Sequence, residues 1–484
     1  MSPANPSAVA RGTLWRGALA AALVLGLAGC ATPMREPAVQ VWVTTADRSR
    51  LLARDTDLHF ATAASLPLNI AVDARHHYQE FLGVGAAFTD STALLFEQKL
   101  APEARTALMH ELFGPPPGIG LSLMRVPIAA SDFSVERYSF DDLPAGATDP
   151  TLAHFDLGAN GKRVLSLVQA AHAINPTLRL IGSTWSAPGW MKSSGSVIKG
   201  HLLPEHYDVF ADYLLRFADS YQQAGVPLYG LTAQNEPGFE PTDYPGMRFE
   251  AVDRARFIAQ HLGPKLSRRA GAPLYFDYDH NWDVSESPLQ VLDVPAAAHY
   301  VAGIAWHCYG GEIDAQSLVH TAHPGFSALM TECSGGEWAP SWAEGLRWFG
   351  GTLLIEEGRN WGSGTILWNL ALDEHHGPHL GGCDDCRGVV TIDSTSGAVT
   401  RNVEYYSLAH LGRFVRPGAR RIDSTTNLDG LISVAYRNSD DGSLVLLVFN
   451  KAQAARRFSV RHAQRTLTYA LPAGALATFA WQPR

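Results

Sequence analysis

The sequence has little positive charge and lacks low-complexity polar segments. Its 38 lysines and arginines are outnumbered by 47 aspartates and glutamates, which gives a formal net charge of −9. A diffuse acidic balance of this kind argues against a binding surface for nucleic acid or for an anionic membrane. Without long polar repeats, the chain beyond its N-terminus is expected to fold. The chain has 484 residues, of which 46% are hydrophobic. This length and composition are enough for one large domain and a smaller one.

Long apolar runs are also missing, except at the N-terminus. No later run is long enough to cross a bilayer as a helix. Arg11 and Arg16 precede a small, apolar segment, residues 17–28, and the segment ends in Leu-Ala-Gly-Cys30. This layout resembles a bacterial lipoprotein signal, with cleavage before Cys30 and lipidation of its sulfur; an ordinary secretory signal is the alternative. Residues 1–30 are therefore predicted to be a signal peptide and residues 31–37 a tether.

Cysteine is scarce, with five in the chain. Besides Cys30, the lipidation candidate, Cys383 and Cys386 form a Cys-Asp-Asp-Cys segment. In an exported protein this segment is a candidate for a local disulfide. Cys308 and Cys333 each follow a candidate site residue directly, and we interpret them as small buried hydrophobic side chains.

Both ends of the chain have patterns typical of β-strands. Residues 39–45 alternate apolar and polar side chains, as a half-buried strand does, and residues 70–73 form a second candidate. Near the C-terminus, short apolar runs separated by turn signals such as Asp440-Asp441-Gly442 predict a β-sandwich. Residues 38–80 and 401–484 are therefore expected to form one side domain built from both chain ends.

Residues 81–400 alternate short apolar runs with longer helical patterns. The eight candidate strands are residues 81–89, 121–128, 178–185, 228–234, 274–279, 303–309, 328–332 and 364–370. Residues 207–221 have helical spacing, and Pro204 and Glu205 lie near their start. Eight such units over roughly 320 residues fit an α/β fold, the (β/α)8 or TIM barrel. A doubly wound sheet is the competing fold, but Gly83-Val84-Gly85 is only half of its phosphate-binding motif.

Polar or aromatic side chains stand at the ends of seven of the eight predicted strands. Because the catalytic groups of a barrel cluster at the C-terminal ends of its strands, these side chains are predicted to meet. Two of them, Glu236 and Glu332, are the pair of carboxyls that glycosidic-bond cleavage requires. One carboxyl needs a pKa raised by burial or by a negative neighbour, whereas the other must stay ionised. Arg125 and Tyr309 are candidates for stabilising the ionised carboxylate.

The ordered set of motifs resembles glycoside hydrolase family 30, the family of lysosomal glucosylceramidase and bacterial relatives. The resemblance covers essentially all of the chain after residue 40. The matching runs lie at residues 83–90, 124–134, 184–192, 232–237, 303–309, 331–333, 368–372 and 406–418.

The resemblance implies a barrel fused to a β-sandwich and hydrolysis with retention of the anomeric configuration. Glu236 would be the acid/base and Glu332 the nucleophile, with their carboxyls about 5–5.5 Å apart. Asn235 matches the amide that binds the sugar 2-hydroxyl, and His379 stands where glucosylceramidase has an asparagine. The remaining substrate-binding candidates are Arg125, Asp132, Trp185, Tyr244, His307, Tyr309, Trp368 and Asn369. Arg125 is alternatively a structural ion-pair partner, and His307 a core histidine.

Two other functions compete with this interpretation. A loop in which five possible zinc ligands fall within twelve positions could serve a zinc-dependent hydrolase; its residues are His375, His376, His379, Cys383 and Cys386. A non-catalytic carbohydrate-binding protein on the same fold is the second alternative. That protein would be expected to have lost Glu236 or Glu332, and both are present.

We therefore expect a retaining β-glycosidase that cleaves β-glucosidic bonds by double displacement without a cofactor or metal. The expected substrate is a β-glucoside, a β-glucan oligosaccharide or a glycosphingolipid, depending on loops that the sequence does not define. Neither a nucleic-acid partner nor a particular oligomeric state is predicted. The lipoprotein signal predicts export to the bacterial outer membrane, the periplasm or the cell exterior.

Overall fold

The computed structural model describes residues 38–483. The predicted signal peptide, Cys30 and the tether lie outside the described residues. Within this range, no helix combines the length and the apolar character that crossing a membrane requires.

Eight parallel strands form a closed barrel in the middle of the chain. They are Gly83–Ala86, Leu123–Ile128, Arg179–Thr184, Gly230–Thr232, Leu274–Asn281, Val301–His307, Ser327–Glu332 and Gly362–Leu367. The second to the eighth strand pair in chain order, and the first strand pairs with the eighth. A bridge between Ala87 and Arg125 joins the first to the second and closes the barrel. All eight predicted strands are confirmed, because parallel strands buried on both faces are apolar runs.

Helices cover the outside of the barrel. In Tyr207–Gln223, the buried residues Phe210, Leu214, Phe217 and Tyr221 recur at helical spacing, so one face packs on the strands. The helices are Asp90–Gln98, Pro102–Phe113, Gly158–Ile174, Tyr207–Gln223, Ala251–Phe257, Gly263–Ser267, Glu286–Leu292, Pro295–Ala298, Ala315–Ala322, Trp342–Leu346, Glu357–Arg359 and Val403–Gly412, with π-helical segments at Ile258–Leu262 and Arg347–Glu356.

The side domain is a β-sandwich built from both chain ends, as predicted. Its nine strands are Gln40–Thr44, Ala53–Arg54, Asn69–Glu80, Arg420–Ser424, Leu431–Arg437, Leu444–Asn450, Arg456–His462, Arg465–Leu471 and Leu476–Trp481. Some of their buried side chains, such as Ile432 and Phe449, pack in the core shared with the barrel. The others form one core of their own, so the hydrogen-bonded sheet folds over on itself. The sequence analysis missed Arg420–Ser424 because arginine and aspartate flank Ile422, the one side chain that this strand adds to that core.

The last helix of the barrel joins it to the sandwich. Val403–Gly412 follows the predicted domain boundary at residue 400 and packs against both the first barrel strand and Leu476–Trp481. Its fully buried His410 contacts Thr44 at 2.8 Å and Thr478 at 2.9 Å, both in sandwich strands. Burial lowers the pKa of His410 to about 3, so this junction is uncharged at neutral pH.

Short ladders organise the loops at the C-terminal edge of the barrel. Gly335–Gly336, just after the seventh strand, pairs with Cys386–Arg387. Ala371–Leu372, just after the eighth, pairs with Val390–Ile392, which in turn pairs with Val399–Arg401. These ladders attach the loop 373–388 to the ends of the last two barrel strands.

Candidate active site

Glu236 and Glu332 face each other at the C-terminal edge of the barrel. Their carboxylate oxygens and a ring nitrogen of His307 lie within 4.8 Å of one another. This upper limit lies below the roughly 6.5–9.5 Å of inverting glycosidases and is compatible with the roughly 5–5.5 Å of retaining ones. The backbone of Glu236 has a φ of 46°, a sparsely populated conformation for a residue with a side chain. A hydrogen bond of 2.9 Å from its N–H to the carbonyl of Asp279 holds it there.

Glu332 ends the seventh strand and is held by two donors. Arg125 donates from Nη1 to Oε2 in a very short contact, and the Tyr309 hydroxyl donates to Oε1 at 3.0 Å. Both contacts favour the ionised carboxylate. Arg125 and Tyr309, the two donors predicted to stabilise the ionised carboxylate, therefore both contact Glu332. Each oxygen of this carboxylate is oriented by one of them.

Asp279, which the sequence analysis did not name as a site residue, connects the two halves of the site. Its carboxylate accepts hydrogen bonds from Arg125 at 2.7 Å and from the His307 ring at 3.1 Å. The hydroxyls of Thr232 and Thr331 each add a bond of 2.6 Å. Although burial opposes its ionisation, Arg125 and His307 hold the pKa of Asp279 well below its usual range. An aspartate at the end of a buried strand was the signal that could have revealed it.

His307 is a buried cation between three carboxylates. Its Nδ1 lies 3.0 Å from Glu236 and its Nε2 lies 3.1 Å from Asp279. Burial disfavours the charged ring, but the carboxylates of Glu332, Asp279 and Glu236 outweigh it and raise the pKa of His307 to about 9. At neutral pH the ring is therefore protonated and donates from both nitrogens.

The carboxyls of Glu236 and Glu332 do not have the pKa order expected from the sequence. Burial raises the pKa of Glu236, but the His307 ring outweighs it, and the pKa falls below the usual range. Burial raises the pKa of Glu332, which His307 and Arg125 offset only in part. The expectation that Glu236 itself has the raised pKa was wrong for the ligand-free site, because nothing in the sequence marked His307 as a cation. The ring of His307 holds the proton instead, and this ring is one hydrogen bond away from Glu236.

An aromatic and amide surface lies beside these charges. The rings of Trp185 and Trp368 stack at 5.0 Å, and the Arg125 guanidinium lies 4.7 Å from the Trp185 ring. Asn235 accepts a 2.7 Å hydrogen bond from Arg125 at Oδ1, which leaves its NH2 group to face a ligand. Asp132 accepts a 3.3 Å bond from the Trp368 indole at one oxygen, and its other oxygen has no protein partner.

The Asp132 carboxyl is biased toward its protonated form. Burial, followed by the charge of Glu332, raises the pKa of Asp132 to about 8. A protonated carboxyl both donates and accepts, as a hydroxyl-rich ligand requires. Its oxygen without a protein partner is therefore suited to a sugar hydroxyl.

The other predicted binding residues are Tyr244, Asn369 and His379, and they differ in their contacts. Tyr244 packs in the Trp185 and Trp368 cluster, and burial together with the Asp132, Glu236 and Glu332 charges raises the pKa of its phenol. Asn369 is fully buried, and neither amide atom has a protein partner. His379 contacts the ring of Phe133 at 5.6 Å but bonds to the carbonyl of Gly381 in its own loop.

Both cysteine pairs form disulfides. Cys383–Cys386 is confirmed as a local disulfide, and it removes both thiolates from the predicted zinc loop. In the described residues, the two groups with the spacing of metal ligands are Glu236–His307–Glu332 and Asp141–Asp149–His154, neither of which includes that loop. The interpretation of Cys308 and Cys333 as unpaired hydrophobic side chains was wrong. They follow neighbouring parallel strands, and their bond ties the segments that contain Tyr309 and Glu332.

Comparison with known proteins identifies the architecture. The model of the glycosyl hydrolase family 30 TIM-barrel domain matches residues 81–415, and that of the family 30 beta sandwich domain matches residues 418–479. The chain belongs to glycosyl hydrolase family 30. It is therefore a glycoside hydrolase that acts on a glycan or glycolipid, and the two carboxylates have the spacing that a retaining β-glycosidase requires.

Family 30 relatives of two substrate classes are similar to this chain. An endo-1,6-beta-D-glucanase of Neurospora crassa is 36% identical over 389 residues, which cover 77% of this chain and 79% of the relative. The lysosomal acid glucosylceramidase of Mus musculus is 28% identical over 409 residues, covering 80% and 78%. The solved endo-beta1,6-glucanase BT3312 has a TM-score of 0.85 at 29% identity, covering 92% of this chain and 100% of that structure.

Proposed function

We propose that this family 30 glycosidase is an endo-acting β-1,6-glucanase. The assignment of the reaction rests on one observation, which is that carboxylate oxygens of Glu236 and Glu332 lie within 4.8 Å of each other. The substrate rests on similarity, because identity to the fungal endo-1,6-beta-D-glucanases reaches 36%, against 28% for the mouse glucosylceramidase. The exposed rings of Phe239 and Trp338, which follow Glu236 and Glu332 by three and six positions, also favour a polymeric sugar over a single glycoside.

In the first step Glu332 attacks the anomeric carbon of the bound sugar. Arg125 and Tyr309 hold its two oxygens, which keeps the carboxylate ionised and aimed. The leaving oxygen takes a proton from Glu236, and the proton comes from the Glu236–His307 pair. A covalent ester between the sugar and Glu332 results, and the charge of Glu332 is lost.

In the second step Glu236 acts as a base. It takes a proton from water as the water attacks the anomeric carbon, and Glu332 leaves as a carboxylate. Because each step inverts the carbon, the product keeps the β configuration. Asn235, whose oxygen is held by Arg125, donates its N–H to the sugar 2-hydroxyl, and Asp132, Trp185 and Trp368 bind the rest of the ring.

The substrate is tested with β-1,6-glucan, β-1,3-glucan, glucosylceramide and an aryl β-glucoside. We expect β-1,6-glucan to give a ladder of short oligosaccharides early in the reaction, and NMR to show the β anomer first. Glucose as the sole early product would contradict the endo assignment, and the α anomer would contradict retention. Faster turnover of glucosylceramide than of β-1,6-glucan would assign the enzyme to the other substrate class.

We also propose that the enzyme is an exported lipoprotein, based on Arg11, Arg16 and the apolar segment that ends at Cys30. The test expresses the full chain in a bacterial host with a labelled fatty acid. Label should enter the wild type and not Cys30→Ser. Unlabelled wild-type protein that is still secreted would indicate an ordinary secretory signal.

A further inference from the structure

One large aromatic side chain next to the site has no role in the mechanism above. Trp338 follows the nucleophile Glu332 by six positions, and 53% of its surface is exposed. Packing within the folded protein therefore covers only part of the indole, and the rest is open to a ligand.

The ring of Trp338 is supported on one side by the backbone. A β-carbon placed on Gly336 would lie 2.0 Å from the Trp338 ring, so the indole rests directly on this glycine. Glycine at position 336 is thus required for the ring to approach the chain so closely. One part of the indole contacts Gly336 and the exposed part is left for a ligand.

The backbone under Trp338 is attached to the inner wall of the site. Gly336 pairs with Cys386, and the N–H of Glu337 donates to the carbonyl of Asp385 at 3.0 Å. Cys386 and its disulfide partner Cys383 pack in the same cluster as Trp185 and Trp368. The indole is therefore held by one strand of a two-stranded ladder. The other strand, which contains Cys386, contacts the proposed sugar-binding surface.

The same loop also contacts Asp132. The N–H of Leu380 donates to the carbonyl of Asp132 at 3.3 Å, and Gly382 approaches Asp132 so closely that a β-carbon would lie 2.5 Å from it. The loop 373–388 thus contacts both Asp132 and, through Asp385 and Cys386, the Trp338 segment. A glucan chain that extends from the bound sugar along this loop would pass the indole.

We propose that Trp338 is a binding platform for a sugar ring of the glucan chain beyond the ring that Glu332 attacks. The apolar face of a β-linked glucose would stack on the exposed indole, and its hydroxyls would remain in water. The proposal rests on the proposed glucanase function and adds a binding position to it. An exposed ring preorganised by Gly336 loses little conformational freedom on binding.

The test measures kcat/KM for β-1,6-linked oligosaccharides of two to six glucoses with wild type, Trp338→Ala and Trp338→Phe. For Trp338→Ala we expect a loss that grows with chain length and reaches about tenfold, as removal of one stacked ring predicts. Trp338→Phe should recover most of it. Trp348→Ala is the matched control, because this tryptophan is 36% exposed but belongs to a helical segment that packs on the sandwich.

Two results would overturn the platform. A loss of the same size for every chain length would show that Trp338 supports the catalytic groups instead of a distant sugar. No loss for any substrate would show that the indole binds nothing. The failure of the proposed function looks different, since wild type would then leave all the β-1,6-linked oligosaccharides uncut, and a glucan platform would be excluded with it.

Discussion

The floor and the wall of the active site are held together by different forces. The floor consists of Arg125, Asp279, His307 and Glu332, which are almost fully buried and joined by charge-assisted hydrogen bonds. The wall, residues 373–388 with Gly335–Gly336, is held by two-residue ladders and the Cys383–Cys386 disulfide. Buried charges tolerate little displacement, because an unpaired one costs several kcal/mol. Loops tolerate insertion and exchange.

This difference separates the residues proposed for the reaction from those proposed to contact the rest of the substrate. In the proposed mechanism the floor supplies the groups that cleave the glycosidic bond, and every one of them comes from a barrel strand. The wall is the part of the site that we propose lies next to the rest of the substrate chain. Relatives that act on β-1,6-glucan and on glucosylceramide are therefore compatible with one floor and different walls.

The largest expected effect comes from the two carboxyls. Glu332→Gln should lower kcat by about 10⁴-fold or more for every substrate, because no covalent intermediate forms. Glu236→Gln should lower the rate by about 10²- to 10⁴-fold on glucan. It should cost less on an aryl glucoside whose leaving group needs no proton. Steady-state kinetics check this, and equal losses of Glu236→Gln on both substrates would contradict the acid role.

The next prediction compares two buried arginines. Arg125→Met removes the guanidinium that Asp279 and Glu332 share and should lower the free energy of unfolding by about 3–5 kcal/mol. Arg254→Met is the control, because Arg254 is equally buried and pairs with Asp277 at 3.1 Å, two positions before Asp279 in the same strand. Urea denaturation should show similar losses for both variants.

Activity should distinguish the two arginines. Below the unfolding transition, Arg254→Met should retain the kcat of wild type, since Arg254 lies outside the site. Arg125→Met should lose nearly all of it, because one oxygen of the nucleophile has no donor. Equal activities of the folded variants would show that Arg125 is a structural ion-pair partner alone.

The two disulfides extend the comparison. Cys308–Cys333 closes 25 positions of chain and lies in the floor, whereas Cys383–Cys386 closes three and lies in the wall. Loop-closure entropy predicts losses of about 3.5 and about 2 kcal/mol on their removal as double alanine variants. The floor variant should lower kcat on all substrates, since Tyr309 and Glu332 lose a link. The wall variant should chiefly raise KM for long chains.

The floor and the wall also differ in how much of each could be predicted from the sequence. Eight barrel strands and Glu236, Glu332, Arg125 and Tyr309 were predictable, because buried parallel strands are apolar runs and the chemistry stands at their ends. Asp279 had the same signal and was missed. The Cys308–Cys333 pair was accessible in principle, because neighbouring strands place both residues at one edge.

Apart from the Cys383–Cys386 disulfide, the contacts of the wall could not be predicted from sequence patterns. Gly335–Gly336 and Cys386–Arg387 are ladders of two residues each, too short to show any periodicity. The support of the Trp338 ring by Gly336 depends on a contact between side chain and backbone, which no spacing rule encodes. The charge of His307 likewise depends on three carboxylates from separate strands.

The smallest expected effect is a shift in the pH profile. The Tyr309 hydroxyl donates to Oε1 of Glu332, so it stabilises the ionised carboxylate and lowers its pKa. Tyr309→Phe removes this donor while Arg125 remains, so the pKa of Glu332 rises further above the usual range. The acid limb of kcat/KM, where protonation disables the nucleophile, should therefore move to higher pH.

The alkaline limb provides the internal control for this variant. It reports loss of the proton held by the Glu236–His307 pair, and Tyr309 donates to Glu332 instead of this pair. The two limbs are measured on an aryl β-glucoside from pH 4 to pH 10. Movement of the acid limb alone would assign the hydroxyl to the nucleophile. Movement of both limbs together would mean that the carboxyls of Glu236, Asp279 and Glu332 and the ring of His307 titrate as one unit, and the site would then have no separable acid and base.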